Sequence, residues 1–255
     1  MIKEPKILFY DIETAPLQAW IWKTGEQYIR HGQLVAGYDE YNIICIAYAW
    51  DDDKPAKVMK WDVETQDCSS LIERFDAIVK QADVIIGKNS DRFDNKHINT
   101  QRWLKSLPPF PDWVDCRDDV EKQLRKYFIL PSYSLDYVSQ QLGLGGKDKM
   151  EFQDWIDIME RNDKKKLAKM MEYNKKDVED TRAVYRSIKP YIKPKFSMAT
   201  WLNDFVCVGC GSSRLSKNGT RVSGKTRYQR YLCQDCGMSA KAPLNKNNEP
   251  GKIGA

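Results

Sequence analysis

The sequence predicts a mixed α/β domain followed by a small cysteine-containing module. Short apolar runs typical of buried strands alternate with segments of helical periodicity, which indicates a sheet covered by helices. Four of the seven cysteines form two Cys-x-x-Cys pairs near the C-terminal end. A chain of 255 residues is long enough for one good-sized domain with a small appendage.

Three strands, a helix and a fourth strand are predicted in the first part of the chain. The runs KILFY at 6–10 and IICIAYAW at 43–50 are apolar and β-prone, and residues 56–61 alternate. Apolar residues at helical spacing predict a helix over 69–81, and the run at 84–86 predicts a short central strand. This order indicates a mixed sheet.

Further helices are predicted in the second part of the chain. They cover residues 95–106, 117–127, 134–142 and 163–188, and residues 113–116 are a candidate last strand. Prolines and a polar C-terminal end suggest how the chain is divided. The predicted divisions are a main domain over 1–190, a linker over 191–206, a cysteine module over 207–243 and a disordered tail over 244–255.

Composition excludes a membrane protein and a disordered chain. The mean hydropathy is −0.64 with 42% apolar residues, and no apolar run approaches the roughly 18 residues of a membrane span. The first residues lack the apolar stretch of a signal peptide. We therefore expect a cytoplasmic protein with no membrane association.

A long connection over residues 14–42 has no clear period. It contains four aromatic side chains, Trp20, Trp22, Tyr28 and Tyr38. A connection this long at a strand end is more often functional than idle. The alternative is that these aromatics cap the core, and the sequence leaves both interpretations open.

Two acidic residues follow the first predicted strand. Alternation along an extended chain puts Asp11 and Glu13 on the same side, with Ile12 turned into the core. Carboxylates held side by side repel each other unless a cation lies between them, and Mg²⁺ takes such oxygen ligands. One interpretation is therefore a metal site, and the other is a surface acidic pair.

A second polar cluster follows the strand at 84–86. Asn89 offers an amide to a loop or a substrate, and Phe93 is expected to lie in the core and fix Asp94 at the start of the next helix. The alternative role of Asp94 is that of a helix N-cap.

The third polar cluster lies in the last long helix. Tyr173 and Asp177 are four residues apart and therefore share a helix face, with Asp180 close to it. Asp180 is expected to form a salt bridge with a neighbouring basic residue. The alternative for the whole stretch is a solvated charged surface.

Taken in order, these clusters resemble the motifs of a known enzyme family. D-x-E at 11–13, N-x-x-x-F-D at 89–94 and Y-x-x-x-D at 173–177 are similar to the three motifs of the DEDD (DnaQ-like) 3′–5′ exonucleases. The tyrosine is typical of the DEDDy branch, which contains the proofreading domains of family B DNA polymerases. Residues 132–147 resemble the connecting helix of phage-encoded exonucleases of this type, in which a zinc-ribbon tail is frequent.

The resemblance implies an RNase H-like mixed sheet flanked by helices, and phosphodiester hydrolysis with two Mg²⁺ or Mn²⁺ ions. It implies that Asp11, Glu13 and Asp177 hold the ion that carries the attacking water. Asp11 would bridge to the second ion, which Asp94 would support as a metal residue, directly or through water. Tyr173 would orient the nucleophile or help to deprotonate it.

Basic residues near the second cluster are candidates for substrate contacts. We expect Asn89 and Arg92 to contact the substrate, and Lys88 and Lys96 are further candidates for phosphate contacts. A solvated face is the alternative. The chain contains only two histidines, His31 and His97, so it offers few candidate residues for a histidine-based mechanism.

Cysteine spacing in the tail is typical of a zinc ribbon. Cys207, Cys210, Cys233 and Cys236 supply four thiolates for one tetrahedral Zn²⁺. The tail has little apolar material, so the ion is expected to supply much of its folding free energy. An iron centre and free thiols are the alternatives.

A basic and aromatic run lies between the two cysteine pairs. Residues 221–232 are expected to form a strand from which Arg227, Tyr228 and Arg230 contact phosphates and stack on bases. The 201–255 segment holds nine basic and three acidic residues, so the basic excess of the chain belongs to the tail. The alternatives are that the ribbon packs on the main domain or binds a protein partner.

The sequence therefore predicts a metal-dependent 3′–5′ exonuclease acting on single-stranded or fraying nucleic-acid ends, with DNA favoured over RNA. The zinc ribbon would capture the substrate. Two alternatives remain, namely a catalytically inactive adaptor that binds nucleic acid or a protein through the ribbon, and an endonuclease on the same fold.

Overall fold

The computed structural model describes residues 5–37, 40–109, 116–144, 150–193, 195–245 and 247–254. These residues form a five-stranded sheet and a separate three-stranded sheet. The larger sheet is mixed and flanked by helices, which confirms the predicted fold class.

The larger sheet is built around its first strand. β1 (Ile7–Thr14), β2 (Ile43–Trp50) and β3 (Lys57–Lys60) are antiparallel neighbours. β4 (Val84–Gly87) and β5 (Cys116–Asp119) lie parallel to β1 on its other side, in the order β3-β2-β1-β4-β5. β1 is thus central, which explains why its apolar residues are buried.

Seven α-helices and two short 3-10 helices, His31–Gln33 and Lys189–Tyr191, accompany the strands within the described residues. The α-helices are α1 (Ser69–Val79), α2 (Asp94–Leu104), α3 (Val120–Tyr127), α4 (Leu135–Gln141), α5 (Phe152–Arg161), α6 (Lys164–Ile188) and α7 (Met198–Leu202). None of them combines the length and the hydropathy that crossing a membrane requires.

The alternation of β1 determines which side chains meet which helix. Tyr10 belongs to the core cluster that contains the buried face of α1. Phe9 belongs to the opposite cluster and packs edge-to-face on Tyr185 of α6, with ring centroids 5.7 Å apart. Asp11 and Glu13 lie on the same face of β1 as Phe9, so both face α6.

Three elements differ from the sequence-based prediction. The helix predicted over 117–127 begins at Val120, because residues 116–119 pair with β4. The candidate strand at 113–116 lies outside the described residues except for its last position, where β5 begins. α5 was not predicted, since Asp154 and Asp157 interrupt its short apolar pattern.

The smaller sheet is an antiparallel meander. It consists of β6 (Leu215–Ser223), β7 (Thr226–Cys233) and β8 (Ser239–Pro243). A single strand over 221–232 is therefore wrong. Gly224 has a φ of +58°, a left-handed conformation that glycine adopts without steric cost, and it turns the chain between β6 and β7.

The ends of the predicted module carry structure of their own. α7 lies inside the predicted linker over 191–206, and the amide of Met198 donates to the carbonyl of Val208 at 2.8 Å. Within the predicted disordered tail over 244–255, Ile253 is buried in the core cluster of the module. The four domain boundaries themselves stay a prediction.

Candidate active site

Three carboxylates meet where the end of β1 faces α6. One oxygen of Asp11, one of Glu13 and one of Asp177 all lie within 4.8 Å of one another. Two full charges at that distance repel by about 3–4 kcal/mol at an effective dielectric constant of about 20. A donor set made only of carboxylate oxygens fits a hard divalent cation such as Mg²⁺ or Mn²⁺, which would offset this repulsion.

Asp94 lies beside this carboxylate group and outside it. Asp94 is buried, and its Oδ1 accepts a hydrogen bond from the backbone amide of Ile12 at 3.0 Å. Burial raises the pKa of the Asp94 carboxyl well above its usual range, and the negative charge of Asp11 adds to this rise. Asp94 is the first residue of α2, and its carboxylate reaches across to β1, next to Asp11.

Two neighbouring residues of α6 complete the group. Tyr173 is half-buried, and burial followed by the charges of Glu13 and Asp11 raises the pKa of its hydroxyl. Asn174 is fully buried, and its Nδ2 donates to the Oδ2 of Asp11 at 2.7 Å. The sequence analysis missed Asn174, although it lies three residues before Asp177 and thus on the same helix face.

The loop between β4 and α2 is held by Asp119, which the sequence analysis also missed. The Oδ1 of Asp119 accepts from the backbone amides of Asn89 and Glu121, each at 2.9 Å, and its Oδ2 accepts from Asp91 at 3.2 Å. Asn89 has a φ of +59°, so these bonds hold a backbone conformation that few residues adopt. Arg92 is exposed on the same loop.

The expected core position of Phe93 is wrong. Phe93 is 39% exposed, and its ring packs against that of His97 in a tilted arrangement, with ring centroids 4.4 Å apart. His97 also lies 5.2 Å from the ring of Tyr41. α2 buries Ile98 instead, because that residue faces the sheet.

Other charged residues near the site are paired with each other. Asp180 accepts from Lys176 at 2.6 Å, which confirms the expected salt bridge. Lys88 pairs with Glu121 at 2.8 Å and is largely shielded from solvent. These contacts give both residues structural partners within the fold.

A second candidate metal centre lies in the C-terminal module. The sulfur atoms of Cys207 and Cys236, and those of Cys210 and Cys233, are each 3.6 Å apart. A tetrahedral Zn²⁺ with Zn–S bonds of about 2.3 Å requires sulfur pairs about 3.8 Å apart. The backbone amide of Gly209 donates to the Cys207 sulfur at 3.4 Å. Burial raises the pKa of the Cys233 thiol, but hydrogen bonds outweigh it and lower that pKa to about 7.

The three residues expected to bind nucleic acid in the module do not share one face. Tyr228 and Arg230 alternate with Arg227 along β7 and therefore point to the opposite side. Arg221 on β6 is opposite Tyr228, and Lys241 on β8 is opposite Arg230. The Nζ of Lys241 lies 5.0 Å from the centre of the Tyr228 ring. The structure thus joins one tyrosine and three cations on the outer face of the ribbon.

Comparison of this chain with known proteins identifies a family by sequence and a similar fold among solved structures. A model of the RNase H superfamily matches residues 34–189. This range contains Asp94 and Asp177, while Asp11 and Glu13 precede it. No curated protein matches the chain.

Among solved structures, a family B DNA polymerase from the hyperthermophilic archaeon Pyrobaculum calidifontis is similar. The TM-score is 0.56 and the sequence identity 17%, over 74% of this chain and 25% of the polymerase. The chain thus spans about a quarter of the polymerase's length, and at this identity the similarity concerns the fold alone.

Proposed function

Since the chain belongs to the RNase H superfamily, we propose that it is a metal-dependent 3′–5′ exonuclease of the DEDDy type. Its substrates are single-stranded or fraying 3′ ends, with DNA favoured over RNA. The observation that carries this proposal is the group of three carboxylates, Asp11, Glu13 and Asp177, within 4.8 Å of one another. The order of the three motifs and the resemblance to phage-encoded enzymes with a zinc-ribbon tail support the exonuclease assignment.

Asp11, Glu13 and Asp177 would hold the divalent ions, and Asp94, whose Oδ1 accepts from the amide of Ile12, would support the second ion directly or through water. When bound, two such ions activate water and stabilise the entering and leaving oxygens of a phosphodiester. Tyr173 keeps its proton at neutral pH, as a tyrosine ordinarily does, and burial followed by the charges of Glu13 and Asp11 raises the pKa of its hydroxyl further. Its hydroxyl would orient the attacking water or help to deprotonate it.

The surrounding protein keeps this group in position. Asn174 fixes the rotamer of Asp11 by donating to its Oδ2. Asp119 holds the loop that carries Asn89 and Arg92. Both of these residues would contact the nucleic acid beside the site. The catalytic group is thus carried by a central strand and a 25-residue helix rather than by mobile loops.

The C-terminal module binds one structural Zn²⁺ and captures the substrate in this proposal. Its four thiolates hold the ion, which supplies folding free energy to a segment with a small core. Bases and phosphates are bound by the outer face of the ribbon, which carries Tyr228, Arg230, Arg221 and Lys241. Arg227 contacts phosphates from the opposite face, near the hairpin turn. Residues 1–190 are the nuclease domain and residues 207–243 the ribbon.

One gel tests the proposed activity. DNA and RNA oligonucleotides labelled at the 3′ or the 5′ end are incubated with the full chain, with and without Mg²⁺. We expect 5′-labelled strands to shorten stepwise and 3′-labelled strands to release a labelled mononucleotide, only in Mg²⁺. Internal fragments from both labels would indicate an endonuclease instead, and binding without hydrolysis would indicate an adaptor.

A further inference from the structure

Residues 16–37 form a two-sided projection from the sheet, here called the arm. Its two sides are joined by backbone hydrogen bonds. The amide of Val35 donates to the carbonyl of Gln18 at 2.9 Å, and the amide of Trp20 donates to the carbonyl of Gln33 at 2.8 Å. The arm therefore has an ordered stem.

The root of the arm is fixed next to the carboxylate group. Ala15 is buried, and its amide donates to the carbonyl of Asn42 at 2.8 Å, which closes the base of the arm. The side chain of Gln18 donates to Glu160 of α5 at 3.2 Å. Since β1 ends at Thr14, the arm leaves the same edge of the sheet that carries Glu13.

The arm presents large aromatic side chains to solvent. Trp22 is 100% exposed, Tyr28 is 87% exposed and Trp20 is 77% exposed. These three residues do not cap the core, so that alternative is wrong for them; Tyr38 lies outside the described residues. Tryptophan is highly buried in most folded proteins, and clustered exposure of such side chains marks a binding surface.

The charges of the arm select the kind of ligand. Lys23 follows Trp22 directly in the sequence, Arg30 comes two residues after Tyr28, and Glu26 is the single acidic residue of the arm. Aromatic platforms combined with cations are the means by which proteins bind single-stranded nucleic acid, since every base has a face that can stack. Ile21, between the two tryptophans, is 48% exposed as well, so a protein surface is the competing occupant. Two cations against one carboxylate give the arm a positive balance, which favours a polyanion.

We propose that the arm binds single-stranded nucleic acid by stacking bases on Trp20 and Trp22, and so holds the strand next to the carboxylate group. This inference rests on the proposed nuclease function and specifies how the strand is held. The ligand class is any single strand, because stacking does not distinguish one base from another. Lys23 and Arg30 contact the phosphates of the same strand.

The test uses the full chain and fluorescein-labelled poly(dT) and poly(U) of about 20 nucleotides, a length that exceeds a typical single-strand site. Affinity is measured by anisotropy in Ca²⁺, so that binding is recorded without turnover. Loss of one stacked base costs roughly 5-fold to 100-fold in affinity. We expect Trp22→Ala and Trp20→Ala each to weaken binding about 10-fold, and Trp22→Phe to retain most of the affinity.

Trp103 provides the matched control. It is 79% exposed, close to the 77% of Trp20, but it belongs to the last turn of α2 and not to the arm. Trp103→Ala should bind as the wild type does. Because the replaced indoles are exposed, all variants should keep the wild-type melting temperature.

An abasic strand of the same length separates stacking from charge. The wild type should bind it more weakly, and Trp22→Ala should then lower affinity no further. Equal affinity of wild type, Trp20→Ala and Trp22→Ala for base-containing strands would overturn the inference and favour a protein partner for the arm. Poly(dT) and poly(U) distinguish DNA from RNA as the source of the strand.

Failure of this inference and failure of the proposed function give different results. An active nuclease whose affinity does not respond to Trp22→Ala would overturn only the role of the arm. A chain that hydrolyses no strand in Mg²⁺, yet binds more weakly after Trp22→Ala, would overturn the nuclease and retain the arm as a binding element.

Discussion

Replacing Asn174 with alanine removes the amide that donates to Asp11. Asn174 is fully buried, and this bond to a carboxylate is 2.7 Å long. Hydrogen bonds to charged groups contribute about 1.5–3 kcal/mol. Loss of such a partner of a metal ligand typically weakens metal affinity or activity by about 10-fold to 100-fold. We expect Asn174→Ala to raise the Mg²⁺ concentration for half-maximal hydrolysis by that factor.

The assay follows hydrolysis of a 5′-labelled single strand across Mg²⁺ concentrations. Cys45→Ala is the control, because the Cys45 thiol contacts the other end of the same amide, 3.7 Å from the Oδ1 of Asn174. It loosens the same buried region while the contact with Asp11 remains, so it should lower the melting temperature but leave the Mg²⁺ dependence nearly unchanged. An unchanged Mg²⁺ dependence in folded Asn174→Ala would refute the positioning role.

Three other predictions concern the nucleophile and the ribbon. Tyr173→Phe should lower turnover by roughly 10-fold to 1000-fold without altering the Mg²⁺ dependence. If the variant turned over as fast as the wild type at every pH, Tyr173 would be a packing residue. The double variant Arg221→Ala, Arg230→Ala should reduce the slope of log affinity against log salt by about 1.4, which is about 0.7 for each lost phosphate contact. The control Arg214→Ala removes a cation that is paired with Asp235 and should leave the slope unchanged. Equal slopes for the double variant and the wild type would exclude nucleic acid from that face. Chelation of the ion should expose residues 207–243 to protease, and a ribbon that stays resistant without metal would contradict its structural role.

Local patterns in the sequence predict much of the larger sheet. The apolar run at 43–50 coincides with β2, because a strand buried on both faces contains few polar positions. The alternation after KILFY puts Asp11 and Glu13 on one side of β1, where the structure places them beside Asp177. Period and propensity are local properties, and they suffice for elements that one stretch of chain forms.

Contacts between distant parts of the chain were not predictable in the same way. Asn174 and Asp11 are 163 residues apart, and no local pattern links an amide in α6 to a carboxylate in β1. Asp119 holds the Asn89 loop from a neighbouring parallel strand. The position of Phe93 also depended on tertiary packing, since α2 buries a different residue against the sheet.

The ribbon and the arm show a related limit. Alternation across residues 221–232 is compatible with one strand, and only Gly224 marks the turn that makes it a hairpin. In the arm, an aromatic residue fits a core position as well as a solvent-exposed binding position. The sequence therefore left the role of Trp22 open, and its full exposure favours ligand binding.

Hydrolysis of a 5′-labelled single strand by Asp177→Asn in Mg²⁺ tests the catalytic role of the carboxylate group most directly. The substitution keeps the shape of the side chain and removes one of three charges that face each other within 4.8 Å. Asp180→Asn is the matched control, because Asp180 lies three residues later on α6 and pairs with Lys176. We predict no detectable hydrolysis by Asp177→Asn, retained strand binding in Ca²⁺, and near wild-type hydrolysis by Asp180→Asn. Wild-type hydrolysis by folded Asp177→Asn would contradict the assignment of this site.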